Sequence, residues 1–471
     1  MTILPINPAE NASPDALRAF LSQCREAARR DQHDKLVSIS LAVDALDPLA
    51  VLESIFEPGQ PHFYTERPGL ETAIAGAEAV VAHTASGPQR FAEVQRFVDE
   101  TLAHTIAVGA VDAAFGGPHF FTTFSFLDEV EAGEPFSAAQ VFVPRWQVAR
   151  AGAKTTAVAN LLVSPDADLS ALAEKVWRAH AKFAGFNYSA TLEEPAPFEP
   201  SFLRNEVGDY RAAVAQAINR IGAGDFQKIV LARAIDLTAD QPLHPLRVLN
   251  GLRQRFPDCY AFSAATGRGP SFIGASPERL ARVSQNVFET EALAGSARRG
   301  LGASEDAALA AALQHNEKDL REHRHVLDSI VRRLAPLGLK LEFADMPGIR
   351  RLANVQHLAT PIRAVLPDGV RLLDALARLH PTPAVGGTPR ETAVKCIREL
   401  EGFPRGLYAG ALGWLNARGG GEFFVGIRSA LIDGASARVY AGAGIVAGSE
   451  PDREYAETEL KFRAVQDALL G

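Results

Sequence analysis

Three strand-like segments follow one another near the end of the chain, and a helix pattern comes directly after them. The segments are RGLYAGALGWLN, GEFFVGIRSALI and ARVYAGAGIVAG, with turn sequences at 416–421 and 433–434. Short segments joined by tight turns predict antiparallel strands. The helix pattern begins after Ser449, a capping residue type, and has Pro451 in its first turn. This order restricts the fold to one with an antiparallel meander closed by a helix.

The closing helix has a charged face. Glu454, Glu457 and Lys461 are spaced so that they lie on one side of a helix. Two carboxylates and an ammonium beside a glycine-rich strand end could hold a divalent cation and an anionic ligand together. Taken alone, the pattern is more typical of an exposed helix stabilised by its dipole and by surface charge pairs.

The composition is that of an ordinary globular protein, with 471 residues, 47% hydrophobic and 22% charged. The net charge of −8 gives no electrostatic support for binding nucleic acid. The three cysteines are scattered, which suits a reducing compartment. No secretory signal pattern and no apolar run of membrane-spanning length is present. We therefore expect a cytoplasmic protein without nucleic-acid or membrane partners.

Two regions are predicted. Region 1–195 alternates strand and helix patterns, including helices at 13–31 and 167–183, and carries no recognisable chemistry. A stretch rich in Pro and Glu, 191–200, predicts a linker. The motifs of chemical interest all lie in region 200–471.

Two candidate proton-transfer groups lie in this second region. Lys228 lies on the apolar face of the predicted strand 226–237, where burial would lower its pKa and make it a general base. The alternative is a side chain that extends to solvent at the strand end. Glu278 follows a strand break, where an apolar setting would keep it protonated as a general acid. The alternative for Glu278 is a surface pair with Arg279 or Arg282.

Two further segments offer anion-binding groups. Gly295 and Ser296 lie in a predicted turn of small residues, whose backbone N–H groups would suit a carboxylate. Arg428 lies on the predicted strand 423–432 among small neighbours, which leaves room for a planar anion to bind in bidentate fashion.

A long helix is predicted over 305–334, with leucines every seven residues. Glu322 points away from that leucine stripe, so it is either solvated or directed at a ligand. Together the candidates supply a base, an acid, carboxylates for a metal and anion-binding groups. This inventory fits a Mg²⁺ enzyme that handles a small dianion.

The motifs also occur in a recognisable order. In sequence they are KIVLAR, GASPERL, LAGSARRG, KDLREH, HLAT, HPTPAVGG, YAGALGW, VGIRSA, AGAGIV and EYAETELK. This series resembles the chorismate-utilising enzymes, and among them the isochorismate synthases. The resemblance covers about 201–471, and the length of the N-terminal half is similar to that of the menaquinone-pathway members. It implies an α+β fold of the anthranilate synthase component I type, with two packed antiparallel sheets and helices outside.

The resemblance implies a Mg²⁺-dependent isomerase that converts chorismate to isochorismate. Water adds at C2 of the ring and the C4 hydroxyl leaves. Lys228 would be the general base and Glu278 the general acid. Glu322 and Glu457 would ligate Mg²⁺, and Glu454 would assist through water.

The resemblance also implies a set of substrate contacts. Backbone groups, a ring-lining histidine and cations would hold the two carboxylates and the ring. These residues are Gly295, Ser296, His357, Ala384, Tyr408, Arg428, Gly442 and Lys461.

Related branches differ at single positions. Anthranilate synthases usually carry Gln where this chain has Lys228, and aminodeoxychorismate synthases have a nucleophilic lysine that the run 292–296 lacks. Branches that release pyruvate typically have Thr in place of Ala384. Isochorismate synthase is therefore expected, without a glutamine amidotransferase subunit. Salicylate synthase and a non-catalytic chorismate-binding protein remain alternatives, and a menaquinone or a siderophore pathway is left open.

Overall fold

The structure is a computed structural model that describes residues 1–4, 13–55, 59–184, 201–352 and 355–470. The predicted linker 191–200 lies outside these ranges. The described helices are α1 (Pro14–Asp31), α2 (Pro48–Ile55), α3 (Arg90–Ala103), α4 (Leu169–Ala184), α5 (Tyr210–Gly222), α6 (Pro245–Arg255), α7 (Ala303–His315), α8 (Glu317–Leu334), α9 (Leu372–Leu379), α10 (Arg390–Glu401) and α11 (Pro451–Leu469). None of them is long and apolar enough to cross a bilayer.

The described strands alternate with these helices along the chain. They are β1 (Thr2–Leu4), β2 (Lys35–Val43), β3 (His62–Arg67), β4 (Thr72–Ala85), β5 (Thr105–Gly109), β6 (His119–Phe124), β7 (Ala139–Ala151), β8 (Lys154–Val163), β9 (Phe202–Val207), β10 (Lys228–Ala239), β11 (Tyr260–Ala265), β12 (Ser271–Ser276), β13 (Arg279–Ser284), β14 (Val287–Arg298), β15 (Glu342–Phe343), β16 (Gly348–Arg351), β17 (Val355–Val365), β18 (Gly387–Thr388), β19 (Ala411–Asn416), β20 (Gly421–Val425), β21 (Ser429–Asp433) and β22 (Ser436–Val446).

The strands form two sheets that are continuous through the long strands β4 and β7. One runs β9-β10-β22-β21-β12-β11-β3-β4-β7 and continues into β8-β2-β5-β1. The other leaves β7 as β6-β19-β20-β13-β14-β17-β16. All these pairs are antiparallel except those that β5 makes with β1 and β2.

The two sheets pack face to face through aromatic side chains. Phe424 of β20 lies against Tyr260 and Phe262 of β11, with ring centroids 4.9 and 5.1 Å apart. Phe63 of β3 stacks on Phe121 of β6 at 4.9 Å. Such aromatic pairs bury large apolar areas between layers. The predicted α+β class with two packed antiparallel sheets is confirmed.

Strands from both predicted regions pair with each other. β3 pairs with β11, and β6 pairs with β19. The first half of the chain thus completes both sheets of the second half. The predicted boundary at 195–200 lies outside the described residues and stays a prediction.

A buried ion pair fixes the strand that carries Lys228. Along one edge, the start of β10 pairs with β18 and its second half pairs with β9. Between these two pairings, at residues 230–233, no described strand lies beside this edge of β10. Glu401 accepts a hydrogen bond from the Ala232 N–H at 2.6 Å, and Arg405 donates to the Val230 carbonyl at 2.7 Å. Since unpaired buried backbone groups are costly, the Glu401–Arg405 pair takes the place of a neighbouring strand.

Three predictions of where helices and strands begin or end are wrong. The helix predicted over 305–334 is two helices, because Asn316 has an extended backbone and its side chain caps α8 by accepting from the next amides. The strand predicted over 423–432 is interrupted at Arg428, which has a left-handed φ of +50° between β20 and β21. The helix cap is Glu450 rather than Ser449, whose hydroxyl accepts from the Val446 N–H instead.

Candidate active site

Lys228 is the first residue of β10 and lies at the centre of the candidate site. Its ammonium is 3.3 Å from Glu322 Oε1 of α8, and its side chain is 21% exposed. Gly444 on β22 makes room for it, since a Cβ there would lie 3.0 Å from Lys228 Cε. The side chain therefore packs across the neighbouring strand toward Glu322 and does not extend freely into solvent.

Glu278 occupies the break between β12 and β13. Burial raises the pKa of this carboxyl to about 7, and the negative charge of Glu291 contributes in the same direction. Thr382, Lys228 and Arg350 have smaller, opposing effects. The surface pair considered as an alternative does not form, because Arg279 and Arg282 both approach Glu289 instead. A carboxyl with such a pKa holds its proton for part of the time at neutral pH, as a general acid requires.

Sequence reasoning missed the groups that set the environment of Glu278. The Thr382 hydroxyl donates toward Glu278 Oε1 at 3.5 Å. Glu291, which is 7% exposed, forms an ion pair with Arg350 of β16. Thr382 lies within the motif HPTPAVGG and could have been found there. The Glu291–Arg350 pair joins strands that are distant in sequence, so only the sheet register reveals it.

The carboxylates predicted to bind metal lie on α8 and α11. Glu457 Oε1 is 2.7 Å from the Lys461 ammonium, which also donates to the Gly442 carbonyl at 2.8 Å. Burial raises the pKa of Glu454, and the negative charge of Glu457 raises it further. Lys461 thus ties the charged face of α11 to strand β22.

His357 and its neighbours form the ring-lining part of the prediction. Its Nδ1 lies 2.8 Å from Ser296 Oγ on the neighbouring strand β14. Burial, and next the positive charge of Arg428, lower its pKa to about 4, with Arg350 and Lys461 acting in the same direction. His357 is therefore neutral at physiological pH and lies within electrostatic reach of two predicted anion-binding cations.

Gly295 is not in a turn as predicted but at a bulge within β14, where the register with β17 shifts. Its φ of +74° and a Cβ position 3.1 Å from Asp319 Cβ both favour glycine. The bulge places this backbone against the first turns of α8, which carries Glu322.

Tyr408 and Gly442 face each other. A Cβ on Gly442 would lie 2.7 Å from the Tyr408 hydroxyl, so only glycine fits at this position. Tyr408 is 5% exposed and stacks on Tyr440 with ring centroids 5.0 Å apart. Arg428 is half-buried, and its Nη1 lies 4.0 Å from Cys259 Sγ.

Ala384 lies in the loop between α9 and β18, which is tied to β10. The Gly386 carbonyl accepts from the Val230 N–H at 2.9 Å, and the Val385 carbonyl accepts from Arg405. The same loop carries Thr382. It is therefore held between the strand that bears Lys228 and the carboxyl of Glu278.

Tyr210, the first residue of α5, is a second group that sequence reasoning missed. It is 7% exposed, and its hydroxyl finds no hydrogen-bond partner among the described residues. Burial is the main cause that raises its pKa, and the negative charges of Glu454, Tyr408 and Glu457 raise it further. Because buried polar groups are nearly always hydrogen-bonded, this hydroxyl is a candidate for binding a polar group.

The described residues fit a metal ion only as a set of carboxylates that bound waters would complete. They contain no group of three or more His, Cys, Asp or Glu side chains close enough together to hold one. Glu322 and Glu457 instead pair with Lys228 and Lys461. The donors are nevertheless all oxygen, the type that Mg²⁺ prefers, and two carboxylates with bound waters suffice for it. The unpaired Tyr210 hydroxyl also fits a hydrated ion nearby.

Two described cavities lie away from these residues. They measure about 280 and 320 Å³ and share Glu131, Glu134 and Arg405 in their walls. Neither is lined by Lys228 or Glu278. The candidate site is thus defined by side-chain geometry and not by these two cavities.

Comparisons with known proteins identify the family of the chain. A family model described as "Chorismate binding enzyme" matches residues 19–470, and the chain belongs to this family. The salicylate biosynthesis isochorismate synthase of Pseudomonas aeruginosa is 36% identical over 96% of this chain and 94% of that protein. Isochorismate synthase MenF of Bacillus subtilis is 34% identical over 94% of this chain and 95% of that protein.

Solved structures show the same fold. MenF, the menaquinone-specific isochorismate synthase from Escherichia coli, superposes with a TM-score of 0.78 at 27% identity, over 96% of this chain and all of that one. Anthranilate synthase component I from Streptococcus pneumoniae superposes with a TM-score of 0.69 over 84% of this chain and 92% of that one, at 22% identity, which speaks for the fold alone. The family and fold predicted from the motifs are confirmed, and the roles of individual residues stay predictions.

Proposed function

We propose that this chain is an isochorismate synthase that converts chorismate to isochorismate. The observation that carries the proposal is Glu278, a carboxyl with a pKa near 7, within electrostatic reach of the amine of Lys228. A base and an acid that act on two different carbons of one ring are what an allylic displacement by water requires. The full-length relatives named as isochorismate synthases support the same assignment.

In the proposed mechanism, Lys228 acts in its neutral amine form. The amine accepts a proton from a water molecule while the oxygen of that water bonds to C2 of the ring. The double bonds of the ring shift, and the bond from C4 to its hydroxyl breaks. Glu278 donates its proton to that hydroxyl, which leaves as water. One water enters and one leaves, so the composition of the substrate is unchanged and no redox partner is needed.

Anion-binding residues hold the substrate in this proposal. Arg428 and Tyr408 bind the enolpyruvyl carboxylate, and the Gly295 and Gly442 N–H groups with Lys461 bind the ring carboxylate. Arginine is suited to this role because its planar donors match a carboxylate. A neutral His357 lines the ring without adding charge.

The proposal includes Mg²⁺, held by Glu322 and Glu457 with Glu454 acting through water. When bound there, the ion would supply positive charge beside the ring carboxylate of the substrate. These three carboxylates would supply oxygen ligands, the type that Mg²⁺ prefers.

The expected product is isochorismate, with no amine donor and no amidotransferase subunit required. Ala384 supports a reaction that stops before pyruvate release. Purified protein incubated with chorismate and Mg²⁺, followed by chromatographic separation of the products, tests this. Salicylate with pyruvate as the main product contradicts the assignment in favour of salicylate synthase. Unchanged chorismate contradicts catalysis and favours a binding protein.

Glu457→Gln is expected to raise the Mg²⁺ concentration needed for half-maximal activity by at least about tenfold, because the amide loses the charge that binds the cation. Titration of activity with MgCl₂ measures this change. Asp467→Asn removes an exposed carboxylate near the far end of α11 and serves as the matched control. Equal Mg²⁺ requirements in both variants contradict the metal assignment.

A further inference from the structure

The buried hydroxyl of Tyr210 has no role in the mechanism described so far. Its side chain is packed in the main core with Val214 and Ala217 of the same helix. The phenol oxygen is inaccessible and has no hydrogen-bond partner among the described residues. Burying an unpaired hydroxyl costs free energy, so native proteins rarely keep one without a reason.

The surroundings of this hydroxyl indicate the reason. α5 packs against α11 and against strands β10 and β22, the elements that carry Glu454, Glu457, Lys228 and Gly442. The charges that act on the phenol are those of Glu454, Glu457 and Glu401, together with Tyr408. The phenol is therefore a neutral donor within electrostatic reach of three carboxylates.

We propose that Tyr210 is a further positioning residue of the site, whose hydroxyl donates a hydrogen bond to the assembly of carboxylate and water that Glu454 and Glu457 hold when the cation and substrate bind. This inference rests on the proposed function. A hydrogen bond to a charged acceptor is stronger than one between neutral groups. Binding would also satisfy an oxygen that the ligand-free protein leaves unpaired, so the contact favours the bound state specifically.

Tyr210→Phe separates this role from a structural one. Because only an unpaired hydroxyl is removed, the unfolding temperature without ligands should stay unchanged or rise. The dissociation constant for Mg²⁺ alone, measured by calorimetry, and the Mg²⁺ concentration for half-maximal activity with chorismate should both increase about tenfold. A hydroxyl with a purely structural role would give the opposite pattern.

Tyr64→Phe is the matched control. The buried Tyr64 hydroxyl donates to Glu66, and its side chain packs with Leu49 and Leu246 in a separate core cluster. This variant should lower the unfolding temperature and leave both Mg²⁺ constants unchanged.

The outcomes separate the two proposals. Unchanged Mg²⁺ constants in an active Tyr210→Phe enzyme overturn the role of Tyr210 and leave the proposed function standing. A lowered unfolding temperature with unchanged constants does the same. A wild-type protein that leaves chorismate unchanged overturns the proposed function, and the inference about Tyr210 with it.

Discussion

Lys228→Ala is expected to reduce kcat by about 10²- to 10⁴-fold, the range typical of losing a general base. The fold should persist, because the ion-pair partner Glu322 is 45% exposed and can be solvated once the lysine is gone. Steady-state kinetics with chorismate, together with the unfolding temperature, measure both effects. Near-normal activity in this variant contradicts the assignment of the base.

Two companion variants show what kind of loss this is. Lys228→Arg keeps a positive charge beside Glu322 but cannot give up its proton at neutral pH, so it should be as inactive as the alanine variant. Activity restored by arginine would mean that Lys228 contributes charge and not base catalysis. Lys154→Ala, which changes the exposed first residue of β8, is the control and should retain full activity.

Glu278→Gln is the second change with a large expected effect, also about 10²- to 10⁴-fold in kcat, because an amide has no proton to donate. In the wild-type protein kcat/KM should fall as the pH rises through about 7, where the pKa of Glu278 lies and the acid loses its proton. The residual activity of the variant should lack that decline. A profile with the same alkaline limb in both proteins contradicts the role of Glu278.

The raised pKa of Glu278 also determines how the substitution changes stability at different pH values. The folded protein disfavours the ionised carboxyl, so the wild type loses stability as the pH rises above the ordinary value of 4.5 through about 7. Glu278→Gln removes this loss and should unfold at a higher temperature than wild type at about pH 8, but not at about pH 4. Glu289→Gln is the control, because it removes a carboxylate that pairs with Arg279 and Arg282. It should lower the unfolding temperature and keep the wild-type dependence of kcat/KM on pH.

The two hairpins near the end of the chain were predictable because their information is local. Turn residues at 416–421 and 433–434 join β19 to β20 and β21 to β22 in antiparallel pairs, as expected. The middle segment is divided instead of forming one strand, and its two parts, β20 and β21, lie in different sheets. The helices at 13–31 and 167–183 were predictable for the same reason, and the structure places them at Pro14–Asp31 and Leu169–Ala184.

The local errors arose where a side chain or a backbone angle outweighs a repeating pattern. The leucine repeat continues through 305–334, yet Asn316 stops one helix and caps the next. The apolar run at 423–432 continues, yet Arg428 takes a left-handed φ. A periodic pattern predicts which face of an element is apolar, but it does not predict a change of backbone direction at a single residue.

The last helix shows most clearly which features are local and which depend on tertiary structure. By itself the sequence determined that a helix with a charged face begins after a strand near Ser449, since both properties depend on neighbours within a few residues. Only the tertiary structure decided that Lys461 reaches the Gly442 carbonyl, that Lys228 meets Glu322, and that Tyr210 is buried without a hydrogen-bond partner among the described residues. These contacts join residues between 19 and 94 positions apart or depend on how whole elements pack. Distance along the chain does not encode them, because sheet register and helix packing set them only once the entire core has formed.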